Sequence, residues 1–303
     1  MGLPCDWQIN KKNISERGQY LFETGQWSDC EFIVGKDPHR QILKGHKLFL
    51  VISSPVFEAI FYGNMTEKND PIPIQDVQPE IFKAFLKYIY TDKVDLDCFE
   101  VVCGLCHCAK KYMIPPLVDK CKKYLTSDLS PQTVCKAYEL AKSFEDPILM
   151  EKCLQVIRKN TNKVLEAPSW KDIELETILT VLKENYLQIN SEIELFNAVE
   201  CWAKAECARK LLDPDDRKSI RSVIGNALSK LRFLTLSPRE FAEGPAMSLL
   251  LIQEEAFPIL MNILCTCKKP SMPEGFSLNR VKRKISTYIP VAPTIKRSIA
   301  PAS

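Results

Sequence analysis

Histidine is scarce in this 303-residue chain, with three in all (His39, His46 and His107), and the ten glycines are scattered. No G-x-G-x-x-G appears, and no G-x-x-x-x-G-K followed by Ser or Thr, so the loops that cradle nucleotide phosphates are absent. The G-x-S-x-G turn that presents a catalytic serine is missing too. Paired acids such as Glu254–Glu255 occur, but neighbouring positions on a helix face different ways and such acids are expected to be solvated. With so few general bases and no nucleophile elbow, the expectation is a protein without an active site. Long hydrophobic runs are also lacking. The longest fall far below the ~18 residues of a membrane-spanning helix. The N-terminal residues Met1 to Trp7 offer neither a basic flank nor an apolar core, so no signal peptide is read there and the expected compartment is the cytoplasm, with the nucleus as the alternative.

What the chain does have is an ordinary globular composition, 46% hydrophobic and 26% charged, long enough for two domains of usual size. The net charge of +3 is uneven: from Lys268 to Ser303 there are eight Lys or Arg and one Glu, which leaves the first 267 residues mildly acidic. A basic duplex-binding face is therefore not expected on the folded part. The stretch Arg280 to Lys284 resembles an import or nucleic-acid patch, yet only Phe276 and Tyr288 accompany it, so a solvated tail is the favoured reading. Thirteen cysteines, an odd number in a chain without an export signal, read as reduced thiols. Cys121, Cys135, Cys153 and Cys201 sit where a helix would place a small buried residue. The cluster Cys103-Gly-Leu-Cys106-His107-Cys108 fits a haem-attachment pattern or part of a zinc site. A tetrahedral site wants four ligands, and Cys265 and Cys267 are far along the chain. Packing inside a helix is favoured, with metal as the alternative, and no cofactor is expected.

The hydrophobic rhythm sets the organisation. Ser15 to Thr24 reads as a short amphipathic helix ended by Gly25. In Asp29 to Val34, Cys30, Phe32 and Val34 alternate with Glu31 and Ile33 as in a half-buried strand, and His39 to Leu43 is a plausible antiparallel return. A helix follows through His46 to Ile52. Ser54-Pro55 opens another, with Phe57, Ile60 and Phe61 inward. Ile72 and Ile74 mark a short strand, and Pro79 starts a helix with Phe82, Phe85, Leu86, Ile89 and Tyr90 on one stripe. Asp97 with Glu100 reads as a capping pair for a helix to about Tyr112. Beyond Ser127 only helices are expected. Their starts are Pro131, Asp146-Pro147, Ser191 with Glu194, Asp213-Pro214 and Ser237 with Glu240. The one after Asp213-Pro214 carries Ile220, Val223, Ile224, Ala227, Leu228 and Leu231. The fold class is α+β, a small sheet flanked by helices followed by an all-α block. The expected divisions are a flexible lead-in (1–12), a mixed domain (13–126), a helical domain (127–267) and a mostly disordered basic tail (268–303).

Several blocks resemble a known family. Ser28-Asp29-Cys-Glu-Phe and Gly45-His46-Lys-Leu-Phe-Leu-Val-Ile-Ser-Ser-Pro-Val-Phe57 are similar to the BTB/POZ signature. So are Ile74-Gln-Asp-Val, Tyr88-Ile-Tyr-Thr-Asp-Lys-Val and Ala109-Lys-Lys-Tyr-Met-Ile-Pro-Pro-Leu. Phe196 to Glu206 and Leu231-Arg-Phe look like the BACK domain that follows BTB in many adaptors, and the group with a C-terminal PHR sandwich is the most similar. The resemblance covers about Ser15 to Leu264. It implies a homodimer acting as substrate adaptor of a cullin-3 RING ubiquitin ligase, with an unknown ubiquitination substrate as further partner. Dimer contacts would come from Tyr20, Leu21, Phe22, Leu48 and Phe49. Asp29 and His46 would form a buried structural pair. Cullin contacts would come from Tyr62, Met65 and Glu67 (a hydrophobic-x-Glu motif) and from Tyr112, Met113 and Ile114, with the helices from Pro131 to about Asn160 completing the groove. No PHR or kelch module is recognisable after Leu264, so substrate recruitment would fall to the tail, a heterodimer partner or the BACK surface. The alternatives are a scaffold or transcriptional co-regulator without a ligase role, or a truncated competitor of full-length adaptors. Membrane and nucleic-acid partners are not expected.

Overall fold

A computed structural model describes residues 6–63, 71–265, 267 and 270–283. The chain divides into two compact units, 1–128 and 129–303.

The first unit is built on a three-stranded sheet whose first strand lies in the middle. Helix α1 (Ile14–Thr24) opens where the Asn13 side chain accepts the Glu16 N–H at 2.9 Å, and it stops at Gly25, whose φ of +62° is left-handed. Strand β1 (Cys30–Val34) buries Cys30, Phe32 and Val34 as its alternation requires. It pairs antiparallel with β2 (Gln41–Gly45) and parallel with β3 (Ile72–Ile74). The return strand begins at Gln41 rather than His39 because the turn runs on to Arg40. Helices α2 (Lys47–Ser53) and α3 (Pro55–Tyr62) meet at Ser54, whose Oγ accepts the Phe57 N–H and donates to the Tyr112 carbonyl at 2.6 Å. Helix α4 (Pro79–Thr91) buries its whole expected stripe. Phe32, Phe57, Phe82, Phe85 and Tyr112 form an aromatic core, with Phe57 stacked on Tyr112 at 4.4 Å. Helices α5 (Phe99–Lys111) and α6 (Pro115–Ser127) close the unit. The Asp97–Glu100 capping pair does not form: Cys98 holds the N-cap position and α5 starts a residue later.

Among the described residues the second unit contains helices and no strand element. Helix α7 (Val134–Ser143) starts three residues after Pro131, because Ser130 and Thr133 first close a turn on each other. Helix α8 (Pro147–Lys159) is capped by Asp146, which accepts the Leu149 N–H at 3.0 Å. After α9 (Thr161–Glu166) and α10 (Leu175–Lys183) comes the central α11 (Glu192–Arg209). Two buried tryptophans fasten the chain around α11: Trp170 Nε1 donates to the Ala198 carbonyl at 2.9 Å, and Trp202 Nε1 to that of Ile173 at 2.8 Å. The Glu194 carboxylate reaches the Asn190 N–H rather than that of Ser191, so the expected box is shifted by one residue.

The stripe from Ile220 to Leu231 is buried but is not one helix. Helix α12 (Arg217–Val223) stops before Gly225, whose φ is +51°, and Ala227–Lys230 is a separate 3-10 turn. Helix α13 (Pro238–Glu243) carries the full Ser237–Glu240 box, and α14 (Gln253–Leu264) follows. The expectation of an unstructured stretch from Lys268 fails for residues 270–283. Asn262 Nδ2 donates to the Pro270 carbonyl at 2.8 Å, Arg280 to the Asn262 carbonyl at 3.1 Å, and Arg283 is buried. Basic composition reads as solvated, but here it misses a carboxylate waiting in the fold. Residues 284–303 lie outside the described residues. Cys121, Cys135 and Cys153 are buried as expected, whereas Cys201 is exposed because α11 turns Trp202 and Ala203 inward beside it.

Candidate functional site

The expected Asp29–His46 pair is not formed. His46 is buried; its Nε2 lies 2.7 Å from the Gln26 carbonyl and its Nδ1 2.7 Å from the Tyr90 hydroxyl. The Tyr90 hydroxyl also accepts the His46 backbone N–H at 2.7 Å. With Nε2–H donating to the Gln26 carbonyl and the Tyr90 O–H donating to Nδ1, each of these contacts has one donor and one acceptor. Burial raises the Tyr90 hydroxyl pKa well above its ordinary value and keeps it protonated. Asp29 is exposed and accepts the Lys47 N–H at 2.7 Å, so it caps α2, whose own N-cap residue His46 makes no side-chain cap bond.

The face built by α1 and α2 is apolar and open. Leu50 points into the core, while Leu48 is 68% and Ile52 72% exposed. They are four residues apart, hence on the same side of α2. Ile14 on α1 is exposed as well, and a groove of about 420 Å³ runs between Ile14, Phe49, Ile52, Ile89 and Pro115. Tyr20, Leu21, Phe22 and Phe49 are half-buried. Phe49 stacks on Tyr90 at 4.5 Å, and Trp7, from the stretch expected to be a loose lead-in, stacks on Tyr20 at 4.1 Å. Ile52 belongs to the all-round apolar helix His46 to Ile52 that the sequence offers for packing on a second subunit. Ile14 and Trp7, which add to this face, lie outside the expected dimer contacts, and nothing local marked them.

Of the expected cullin contacts, Tyr62 (69% exposed, at the end of α3) and Met113 (60% exposed, just after α5) are free to touch a partner. Met113 has φ +54°, a left-handed conformation that turns the chain between α5 and α6 and pushes its side chain outward. Tyr112 and Ile114, on either side, are buried in the unit's own core, which removes them from a docking surface. A left-handed residue between two core residues is what sequence spacing alone does not show. Met65 and Glu67 lie outside the described residues.

In the Cys103–Cys108 segment of α5, Cys106 and Cys108 are buried and His107 is exposed. The Cys106 thiol hydrogen-bonds Cys121 on α6, and that bond together with burial raises its pKa; burial pushes the Cys108 thiol up to about 12. Such thiols pack rather than react. His107 Nε2 faces Asp76 at 3.4 Å instead of turning toward the thiols. The Asp76 carboxyl is held below its ordinary value, mainly by Lys111, which donates to it at 2.8 Å. Among the described residues, no three His, Cys, Asp or Glu are grouped to hold a metal ion, and no helix is long and apolar enough to cross a membrane.

A small sheet under helices with an open apolar helical face, then an all-helical unit, defines a two-domain protein-interaction class. Residues 19–129 match the BTB/POZ domain and residues 134–243 the BTB And C-terminal Kelch (BACK) domain. The chain belongs to the BTB/POZ proteins that carry a BACK domain. It is 35% identical over 267 residues to human BTB/POZ domain-containing protein 3, covering 88% of this chain and 50% of that protein. It is 34% identical over 257 residues to BTB/POZ domain-containing protein 6-B of Danio rerio, covering 85% and 53%. With BTB/POZ domain-containing protein 6 of Xenopus laevis the identity is 34% over 256 residues. The chain spans about half the length of the curated relatives it matches.

Proposed function

We propose that this protein is the homodimeric substrate-adaptor subunit of a cullin-3 RING ubiquitin ligase. The observation that carries the reading is the open apolar surface of the BTB unit: a monomer would leave Leu48, Ile52 and Ile14 in water, and exposed apolar clusters of this kind mark interaction sites. Burying Leu48 and Ile52 is worth roughly 1.5–3 kcal/mol each. Two copies related by a two-fold axis bury the same face twice. On this reading Met113 and Tyr62 present side chains to the cullin, and dimerisation carries two such faces, so that effective concentration adds to modest single-site affinity. No chemistry is asked of the chain; it positions others.

The test is co-purification with cullin-3. Met113→Ala combined with Tyr62→Ala should reduce capture at least about tenfold, the loss expected from removing one or two central apolar contacts. Circular dichroism and sedimentation should remain those of the parent. Capture equal to the parent's refutes the cullin role of this surface. Met65→Ala with Glu67→Ala examines the adjoining loop in the same assay.

A further inference from the structure

Arg283 is the most completely enclosed charge among the described ion pairs, with a side chain 0% exposed against 2% for its partner Glu192. Every N–H of its guanidinium has an acceptor. Nε donates to the Glu192 carboxylate at 3.0 Å and Nη2 to the same carboxylate at 2.8 Å, a two-point fork. Nη2 also donates to the Lys230 carbonyl at 3.1 Å, and Nη1 to the carbonyls of Leu182, at 2.9 Å, and Glu184. The socket has a physical origin. Leu182 and Glu184 stand at the C-terminal end of α10, where carbonyls lack helical partners and the helix dipole is negative. Glu192 is the first residue of α11, where a carboxylate is favoured, and it also accepts the Arg232 N–H at 2.9 Å. Arg232 in turn donates to the Val281 carbonyl at 3.0 Å, and Phe276 rests 5.9 Å from Phe233. Residues 270–283 are thus tied down along their length, although the BACK match ends at residue 243.

We propose that the junction of α10 and α11 is a guanidinium-binding site, filled in cis by Arg283, and that this single side chain latches segment 270–283 onto the helical unit. The shape of the acceptor set selects the ligand class. Carboxylate and carbonyls lie around a flat fork with five donors, which a lysine ammonium, a point charge with three, cannot match. The proposal does not depend on the adaptor reading.

Full-length Arg283→Ala should melt about 10 °C lower, since one charge of a buried pair is removed while Glu192 stays. Amides of 270–282 should lose protection in hydrogen–deuterium exchange. Millimolar ethylguanidinium should restore the melting temperature of Arg283→Ala in a saturable way and leave the parent unchanged. Ethylammonium should not. A variant that melts like the parent, or equal shifts by ethylguanidinium in both proteins, overturns the site. Should Arg283→Ala fail to fold, Arg283→Lys replaces it: a folded core with protection lost over 270–282 supports the latch, and parent-like protection there refutes it.

Discussion

At the scale of single residues, the stability of the BTB unit turns on one hydroxyl. Tyr90 satisfies both the backbone N–H and Nδ1 of buried His46. Tyr90→Phe leaves two buried polar atoms without partners and changes almost no volume. It should cost about 2–3 kcal/mol in chemical denaturation, more than the ~1 kcal/mol of an average lost hydrogen bond. Glu255 gives the helical unit a pH response. Partial burial opposes its ionisation, but Arg221, donating at 2.5 and 2.8 Å, and the Ile252 N–H outweigh that and hold its pKa below the ordinary carboxylate value. A carboxyl whose folded pKa is depressed contributes stability that is present above its unfolded pKa of about 4.3 and is lost as pH falls through the folded value. Unfolding free energy should therefore drop below about pH 4.5. In Glu255→Gln that part of the slope should vanish; an unchanged acid limb contradicts the assignment. Glu254–Glu255 reads as solvated from sequence, which holds for Glu254 alone, because the partner arginine lies 34 positions away and leaves no local mark.

At the scale of elements, two glycines mark how closely helices approach. A Cβ on Gly18 of α1 would meet the Tyr90 carbonyl oxygen at 2.3 Å, whereas one on Gly104 of α5 would meet the end of the Ile81 side chain at 2.4 Å. Backbone cannot swing aside as a methyl group can. Gly18→Ala should therefore force α1 off α4 and cost at least about 2 kcal/mol, while Gly104→Ala, where Ile81 can change rotamer, should cost about half of that. Equal melting temperatures for the two would contradict this ranking. The same contrast explains what was legible beforehand. The elements with strong periodicity or a local cap (α1, β1, α3, α4, α8, α13) could be read from neighbours in sequence. Starts without a side-chain cap shifted instead: α5 begins after Asp97 and α7 after the Ser130–Thr133 turn, and the left-handed Gly225 divides a stripe that reads as continuous. Helix α2 shows the limit for the interface. An element apolar all round identifies a buried helix but not its outward side, and only the packing of Leu50 leaves Leu48 and Ile52 outside.

At the scale of the whole molecule, the order of mixed unit and helical unit was legible because strand alternation ceases after β3 and capped helices repeat from Asp146 onward. The docked residues 270–283 were not, since a buried Arg283 has the same composition as a solvated one. The interface is the property that only the assembled molecule can test. If two copies share the face of Leu48, Ile52 and Ile14, the folded state is linked to association, and mass action makes its melting temperature rise with concentration. The parent should sediment as a dimer at micromolar concentration and melt progressively lower on serial dilution. Leu48→Asp with Ile52→Asp places two carboxylates on an apolar surface whose burial would require their desolvation, at several kcal/mol per ion. Both positions are already exposed in the single chain, so its own core is untouched. The double variant should therefore remain folded by circular dichroism, sediment as a monomer and melt at one temperature whatever its concentration. A parent that is monomeric, with a melting temperature indifferent to dilution, would leave this face without its assigned partner and the adaptor reading without its two-fold platform.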